Sequence, residues 1–129
     1  MTAGRVIFGE ASIPPHTAGP SLHVHTREDE AAYVVEGVLA CRVGEDRFDA
    51  AAGSLVWLPR EVPHTFANLS DSPVRVLGVT VPAGLEGMFQ EQGSYFAQLT
   101  GPPDEEVIAA IGKRYGVTVV GPPLDVGDE

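Results

Sequence analysis

An all-β fold, a small antiparallel barrel or sandwich followed by short C-terminal helices, is what the order of signals along this chain predicts. Three observations carry that reading. From Arg5 to about Val81 the apolar residues come in short runs, broken by Gly, Pro and Asp or Asn. After Gly84 the spacing changes to that of amphipathic helices. A length of 129 residues is enough for one domain with a real core.

The elements follow in order. Strands are expected over residues 5–8, 21–26, 30–35, 38–43, 47–50, 54–58, 64–68 and 74–81, each rich in β-branched or aromatic residues. Gly37 suits a tight turn between the third and fourth strands, and Gly44-Glu45-Asp46 closes the next hairpin. Residues 84–92 carry Leu85, Met88 and Phe89 at helical spacing, and residues 104–115 carry Val107, Ile108, Ile111 and Tyr115 likewise. Asp104 after Pro102-Pro103 is placed to cap the second helix at its start, and Gly116 to end it. Residues 117–120 offer one further strand. The organisation predicted is one domain over 1–121, with the barrel at about 5–82 and the helical appendage at about 84–121. A mobile acidic tail is expected over 122–129.

Composition narrows the function. A formal charge of −10 opposes nucleic acid, whose binding rests on Lys and Arg contacts to phosphate. No apolar run approaches the roughly 20 residues of a membrane-spanning helix. The first five residues lack the apolar stretch of a signal peptide, and the single cysteine, Cys41, cannot form an internal disulfide. Both fit a cytoplasmic protein. Cys41 shares its strand face with Leu39 and Val43 and is expected to be a small buried hydrophobe.

The chemistry is concentrated in the histidines. His23 and His25, two apart on a strand, point to one face. His64 follows in the segment 59–68, Pro-Arg-Glu-Val-Pro-His-Thr-Phe-Ala-Asn. Neutral imidazoles ligate zinc, iron, copper or nickel, and a neighbouring carboxylate adds compensating charge. His16, flanked by Pro14-Pro15 and Thr17, is read as a surface-loop residue.

With these residues in place, the chain resembles a single-domain cupin. His23, His25, Glu30 and Gly37 occupy the positions of that family's first motif, and Gly53, Pro59, His64 and Asn68 those of its second. Two positions depart from the pattern: Thr17 stands where a glycine is usual before the histidines, and Glu61 where a glycine follows Pro59. The resemblance implies a jelly-roll barrel, the double-stranded β-helix, binding one divalent transition-metal ion (Fe, Ni, Zn, Mn or Cu) through His23, His25, Glu30 and His64. Strand parity independently favours Glu30 over its acidic neighbours. Glu30, Ala32 and Val34 share a face, Asp29 starts the opposite one, and Glu28 lies in the connecting turn. Glu28 and Asp29 are therefore expected to be solvated.

Four protein ligands leave open positions on a five- or six-coordinate ion, the arrangement of a reactive centre. Ala32, Phe66 and Asn68 are the candidate substrate-pocket residues. Phe66 is equally compatible with ordinary core, and Asn68 with capping a strand end. One of the two faces of the 54–58 strand, Leu55 and Trp57 or Val56 and Leu58, lines the barrel. Leu85, Met88 and Phe89 are read as packing rather than as a lid. The segments 59–68, 74–77 and 82–89 are similar to quercetin-dioxygenase-like monocupins. That resemblance implies an oxidoreductase of dioxygenase type acting on a small aromatic or enol/carbonyl substrate, with Glu30 as ligand and catalytic base. The alternatives are a non-oxidative cyclase or isomerase of the polyketide type, and a non-catalytic small-molecule-binding cupin. Tyr33 and Val35, opposite Glu30, face outward and are expected to be buried in a homodimer.

Overall fold

The computed structural model describes residues 5–124. Among these described residues nine strands and two helices follow one another as β1 (Ile7–Ile13), β2 (His23–His25), β3 (Asp29–Glu36), β4 (Val38–Val43), β5 (Asp46–Ala51), β6 (Leu55–Leu58), β7 (His64–Ala67), β8 (Val74–Val81), α1 (Glu86–Ala97), α2 (Glu105–Arg114) and β9 (Val117–Val119). The strands form two antiparallel sheets, one ordered β1-β8-β3-β6 and the other β5-β4-β7-β2-β9. This is the jelly-roll expected. Its interior is filled by the inward residues of both sheets, including Val34, Leu39, Cys41, Val56, Val74 and Val76. Burial pushes the Cys41 thiol up to about 11, as suits an inert core side chain. Among the described residues no helix is long and apolar enough to cross a membrane.

Alternation decides the faces. Val56 and Leu58 are buried while Leu55 and Trp57 are exposed, so the first pair lines the interior. Val34 is fully buried and Tyr33 exposed, as the parity around Glu30 requires. Gly37 turns β3 into β4 with φ +85°, a conformation that favours glycine, and a Cβ there would collide with the Pro73 carbonyl oxygen.

Three boundaries differ most from expectation. β1 runs to Ile13 because it pairs with β8 from Ile7↔Thr80 to Ile13↔Val74. Its Gly, Glu and Ser residues obscure that length in the sequence, and an edge strand needs only one paired side. α1 continues through Gly93-Ser94 to Ala97, where Tyr95 packs against the Leu85–Met88–Ile111 cluster and its hydroxyl accepts a bond from the Asp104 amide at 2.7 Å. Residues 122–124, assigned to the tail by the sequence, are tied to the barrel. Leu124 is buried against Ala40 and Ala67, and the Leu22 amide donates to the Pro122 carbonyl at 3.2 Å. The rest of the expected tail, residues 125–129, lies outside the described residues.

The appendage is a structural part of the barrel. Asp104 caps α2, accepting from the Glu106 amide at 2.9 Å, and Gly116 leaves the helix with φ +81°. The chain then returns as β9 along β2, with His23 opposite Val119 and His25 opposite Val117. The strand that carries two histidines is therefore flanked on both sides, by β7 and by β9.

Candidate metal centre

Three histidines from one sheet meet a glutamate from the other. His23 and His25 stand at the two ends of β2, and His64 opens β7 directly opposite His23. The turn 26–28 carries the chain across to β3, whose second residue, Glu30, points back into the interior. Donor atoms of His23, His25 and His64 lie within 4.8 Å of one another. The His25 and His64 rings are stacked with centroids 5.3 Å apart, and the His23 ring meets the His64 ring edge-on at 4.5 Å. Glu30 Oε1 lies 3.0 Å from His25 Nε2 and 3.2 Å from His64 Nε2.

The surroundings decide which nitrogens are available. His23 Nδ1 is 2.7 Å from the Ser21 carbonyl oxygen, and His64 Nδ1 is 3.4 Å from that of Val62. A carbonyl can only accept, so in the neutral form of either ring Nδ1 holds the hydrogen and Nε2 presents its lone pair. Burial lowers the His23 pKa to about 4, reinforced by the neighbouring His64 and His25 rings against the opposing pull of the Ser21 contact and Glu30. The ring is thus neutral at pH 7. Burial raises the Glu30 pKa, but a bond from the protonated His64 ring and the positive charge that His25, His64 and His23 carry when protonated outweigh it and hold the carboxyl below its usual range. Glu30 is a carboxylate at neutral pH.

Glu30 Oε1 is buried and, among the described residues, forms no hydrogen bond. A carboxylate oxygen facing imidazole lone pairs is repelled by them unless a cation sits between. Desolvation makes that repulsion costly. A divalent ion satisfies all of these groups at once, so the donor set fits a metal. Glu30 Oε2 is 3.4 Å from the Thr80 hydroxyl, which donates to it from the adjacent strand β8.

Glu28 corrects the expectation of a solvated turn, while Asp29 stays partly exposed but is held in an ion pair. Glu28 is 3% exposed, with Oε1 3.4 Å from His25 Nδ1. Asp29 takes the Arg60 guanidinium in a two-pronged contact of 3.2 and 3.1 Å and also accepts from the Arg60 backbone amide at 2.9 Å. These bonds with Arg60 hold the Asp29 carboxyl below its usual range. The contact between Asp29 and Arg60 joins segments that the linear sequence does not relate, whereas that between Glu28 and His25 lies within one turn. The one available clue was spacing, since a carboxyl three residues after a ligand histidine can fold back on it through a short turn.

The other candidate residues separate. Ala32 and Phe66 are partly buried against the interior cluster. Asn68 is fully buried, and its amide donates to the carbonyls of Ile13, Pro14 and Ser72 while its oxygen accepts from the Ser70 amide and hydroxyl. Its polar atoms are thus committed to loop backbone, away from the histidines. Glu61 adopts φ +69°, keeping the glycine-like turn despite its side chain, and its amide donates to the His25 carbonyl at 2.7 Å. His16 lies in an exposed loop, 2.6 Å from Asp71.

Comparison with known proteins adds to this geometry. A protein of Methanocaldococcus jannaschii described as uncharacterised, MJ1618, is 25% identical over 71 residues, covering 55% of this chain and 57% of that protein. The chain thus matches little more than half the length of that curated relative. The crystal structure of TT1209 from Thermus thermophilus is similar with 33% identity and a TM-score of 0.58, over 61% of this chain and 74% of that one. A cupin-superfamily sugar phosphate isomerase from Silicibacter pomeroyi shares the fold, with 23% identity and a TM-score of 0.56, over 60% of this chain and 50% of the other. The cupin-domain family pattern matches residues 9–80, a stretch that runs from β1 to β8 and contains all three clustered histidines and Glu30. With that match over more than half its length and a two-sheet jelly-roll to carry it, the chain belongs to the cupin family.

Proposed function

We propose that this cupin is a metal-dependent enzyme acting on a small organic molecule, with His23, His25, Glu30 and His64 holding one divalent transition-metal ion. The observation that carries the reading is the convergence of imidazole nitrogens on a buried carboxylate oxygen that has no hydrogen bond among the described residues. Such an ion supplies Lewis-acid polarisation of a substrate oxygen and, for a redox-active metal, access to dioxygen. The chain's part is to orient and to exclude water. His25 and His64 are almost wholly buried, and Glu30 receives the Thr80 hydroxyl on its second oxygen. We place the substrate against Ala32, the small residue following Glu30 on its face, and Phe66, which follows His64 on β7. Glu30 is the carboxylate nearest the reacting atoms and the candidate base.

Dioxygenase-like chemistry is supported by the three-histidine, one-glutamate donor set and by the resemblance of segments 59–68 and 82–89. A non-oxidative isomerase is the second reading, favoured by the isomerase among the structures of the same fold. One experiment separates them. The purified protein is analysed for metal, then loaded with iron or nickel and offered a flavonol in an oxygen electrode, and a sugar phosphate under nitrogen. Oxygen uptake that depends on the flavonol supports the first reading. Anaerobic turnover of the sugar phosphate supports the second, and neither activity with any metal leaves a binding protein.

We further propose that the chain pairs with a second copy through the outer face of the β1-β8-β3-β6 sheet. The registers place Phe8, Val79, Ala31 and Trp57 in one row across it, and Leu77, Tyr33 and Leu55 in the next. Phe8 is 65% exposed, Leu55 69%, Trp57 55% and Tyr33 43%. The three aromatic side chains alone present on the order of 300 Å² of apolar surface. With their aliphatic neighbours they reach the patch size that marks an interface. A two-fold pairing suits such a surface, because one patch then covers both copies.

A further inference from the structure

The three histidines do not share the same kind of support. His23 and His64 each rest Nδ1 on a backbone carbonyl, those of Ser21 and Val62. The partner of His25 Nδ1 is a side chain, Glu28, at 3.4 Å, and both groups have side chains only 4% exposed. The His25 ring therefore lies between two carboxyl groups, with Nε2 toward Glu30 and Nδ1 toward Glu28. Glu28 is enclosed by the C-terminal appendage as well. A Cβ built on Gly84 would touch Glu28 Oε2 at 4.0 Å, and Gly84, at φ +146°, holds a conformation that side chains disfavour. The next residue, Leu85, is fully buried in the helical cluster.

We propose that Glu28 is a positioning residue for the metal centre. It accepts the His25 Nδ1 hydrogen and so directs the Nε2 lone pair, and the plane of the ring, toward the ion. The backbone carbonyls do this for the other two histidines, and a carboxyl group does it where β2 ends and the ring has a side-chain partner instead. The proposal rests on the metal reading above. Outer partners of this kind typically change metal affinity by about 10–100-fold when removed.

The test uses the full chain, stripped with EDTA and titrated with zinc against a chromophoric chelator. It compares wild type, Glu28→Leu and Glu28→Gln, with ¹⁵N imidazole spectra of the zinc-loaded proteins and melting temperatures of the zinc-free ones. The expected result is a zinc affinity about 10–100-fold weaker in Glu28→Leu. In Glu28→Gln, which keeps an acceptor oxygen, most of that affinity is recovered. His25 is expected to be the Nδ1–H tautomer in wild type and a mixture of tautomers in Glu28→Leu. A purely structural role would lower the zinc-free melting temperature while leaving zinc affinity and tautomer unchanged, and that result overturns the proposal. Should neither variant fold, His25 found as the Nε2–H tautomer in wild type overturns it alone. Wild type that binds no zinc removes the metal reading and this proposal with it. Wild type and Glu28→Leu binding zinc equally removes only the role of Glu28.

Discussion

Replacing Asn68 by alanine tests how this barrel ties its loops to its strands. The Asn68 amide nitrogen lies 3.0 Å from the Ile13 and Pro14 carbonyl oxygens and 2.7 Å from that of Ser72. Two N–H groups therefore serve three acceptors. The side-chain oxygen accepts from the Ser70 amide at 3.0 Å and from its hydroxyl at 2.7 Å. Each hydrogen bond contributes a net of about 0.5–1.5 kcal/mol, and each buried group left unpaired costs about 1–3 kcal/mol. Full additivity would overstate the loss, because the cavity left by the side chain is polar and can admit water. Asn68→Ala should thus cost about 3–5 kcal/mol, which for a domain of this size lowers the melting temperature by roughly 10–20 °C. Thermal and urea unfolding followed by circular dichroism reads this directly. The zinc affinity of the folded variant should match wild type, because the polar atoms of Asn68 are engaged with loop groups. Asn68→Asp keeps the shape but turns a donor into an acceptor. Its penalty should be largest at neutral pH and shrink in acid, since a protonated carboxyl regains one donor. A change in stability below about 1 kcal/mol for Asn68→Ala would refute the reasoning, because it would mean the five contacts contribute almost nothing.

Other consequences follow from the same structure. His64→Ala should abolish stoichiometric binding of one divalent ion per chain, measured by calorimetry, and unchanged binding would place the ion elsewhere. The His23 pKa is lowered to about 4 in the folded protein, so between the ordinary value of 6.5 and about 4 the unfolded chain takes up a proton that the folded chain refuses. The metal-free protein should therefore lose stability as pH falls through that window, and Glu30, whose pKa is also lowered, adds to the loss below its ordinary 4.5. Equal urea midpoints at pH 7.5 and pH 5 would contradict the buried neutral imidazole. Glu61→Gly should stabilise the protein by about 1 kcal/mol, since glycine holds φ +69° without the side-chain clash, and differential scanning fluorimetry would detect the shift. Trp57→Glu combined with Leu55→Glu should convert a dimer to a monomer in light scattering; a wild-type monomer at micromolar concentration would rule out the pairing.

The fold class and most strands could be read from the linear chain because each depends on local periodicity, whereas joining His64 and Glu30 to His23 and His25 rested on the resemblance to cupins. Alternation alone put Glu30, Ala32 and Val34 on one face and Tyr33 on the other, and the burial of Val34 beside an exposed Tyr33 agrees. The i, i+2 spacing brought His23 and His25 together for the same reason. What alternation cannot reveal is which face of a strand meets the opposite sheet, so Val56 and Leu58 were separated from Leu55 and Trp57 only when the sheets closed. Nor does spacing show where a polar side chain finds its partner across the fold. Asn68 is equally compatible, by sequence, with a place near the metal or at a loop junction, and its hydrogen bonds to Ile13 and Pro14, more than 50 residues away, decide the matter. Glu28 reads as a solvated turn residue because its burial is imposed by the fold around it, with His25 on one side and Gly84 on the other. Local pattern determines which way a side chain points along its own strand, whereas only the packed chain determines what it meets there.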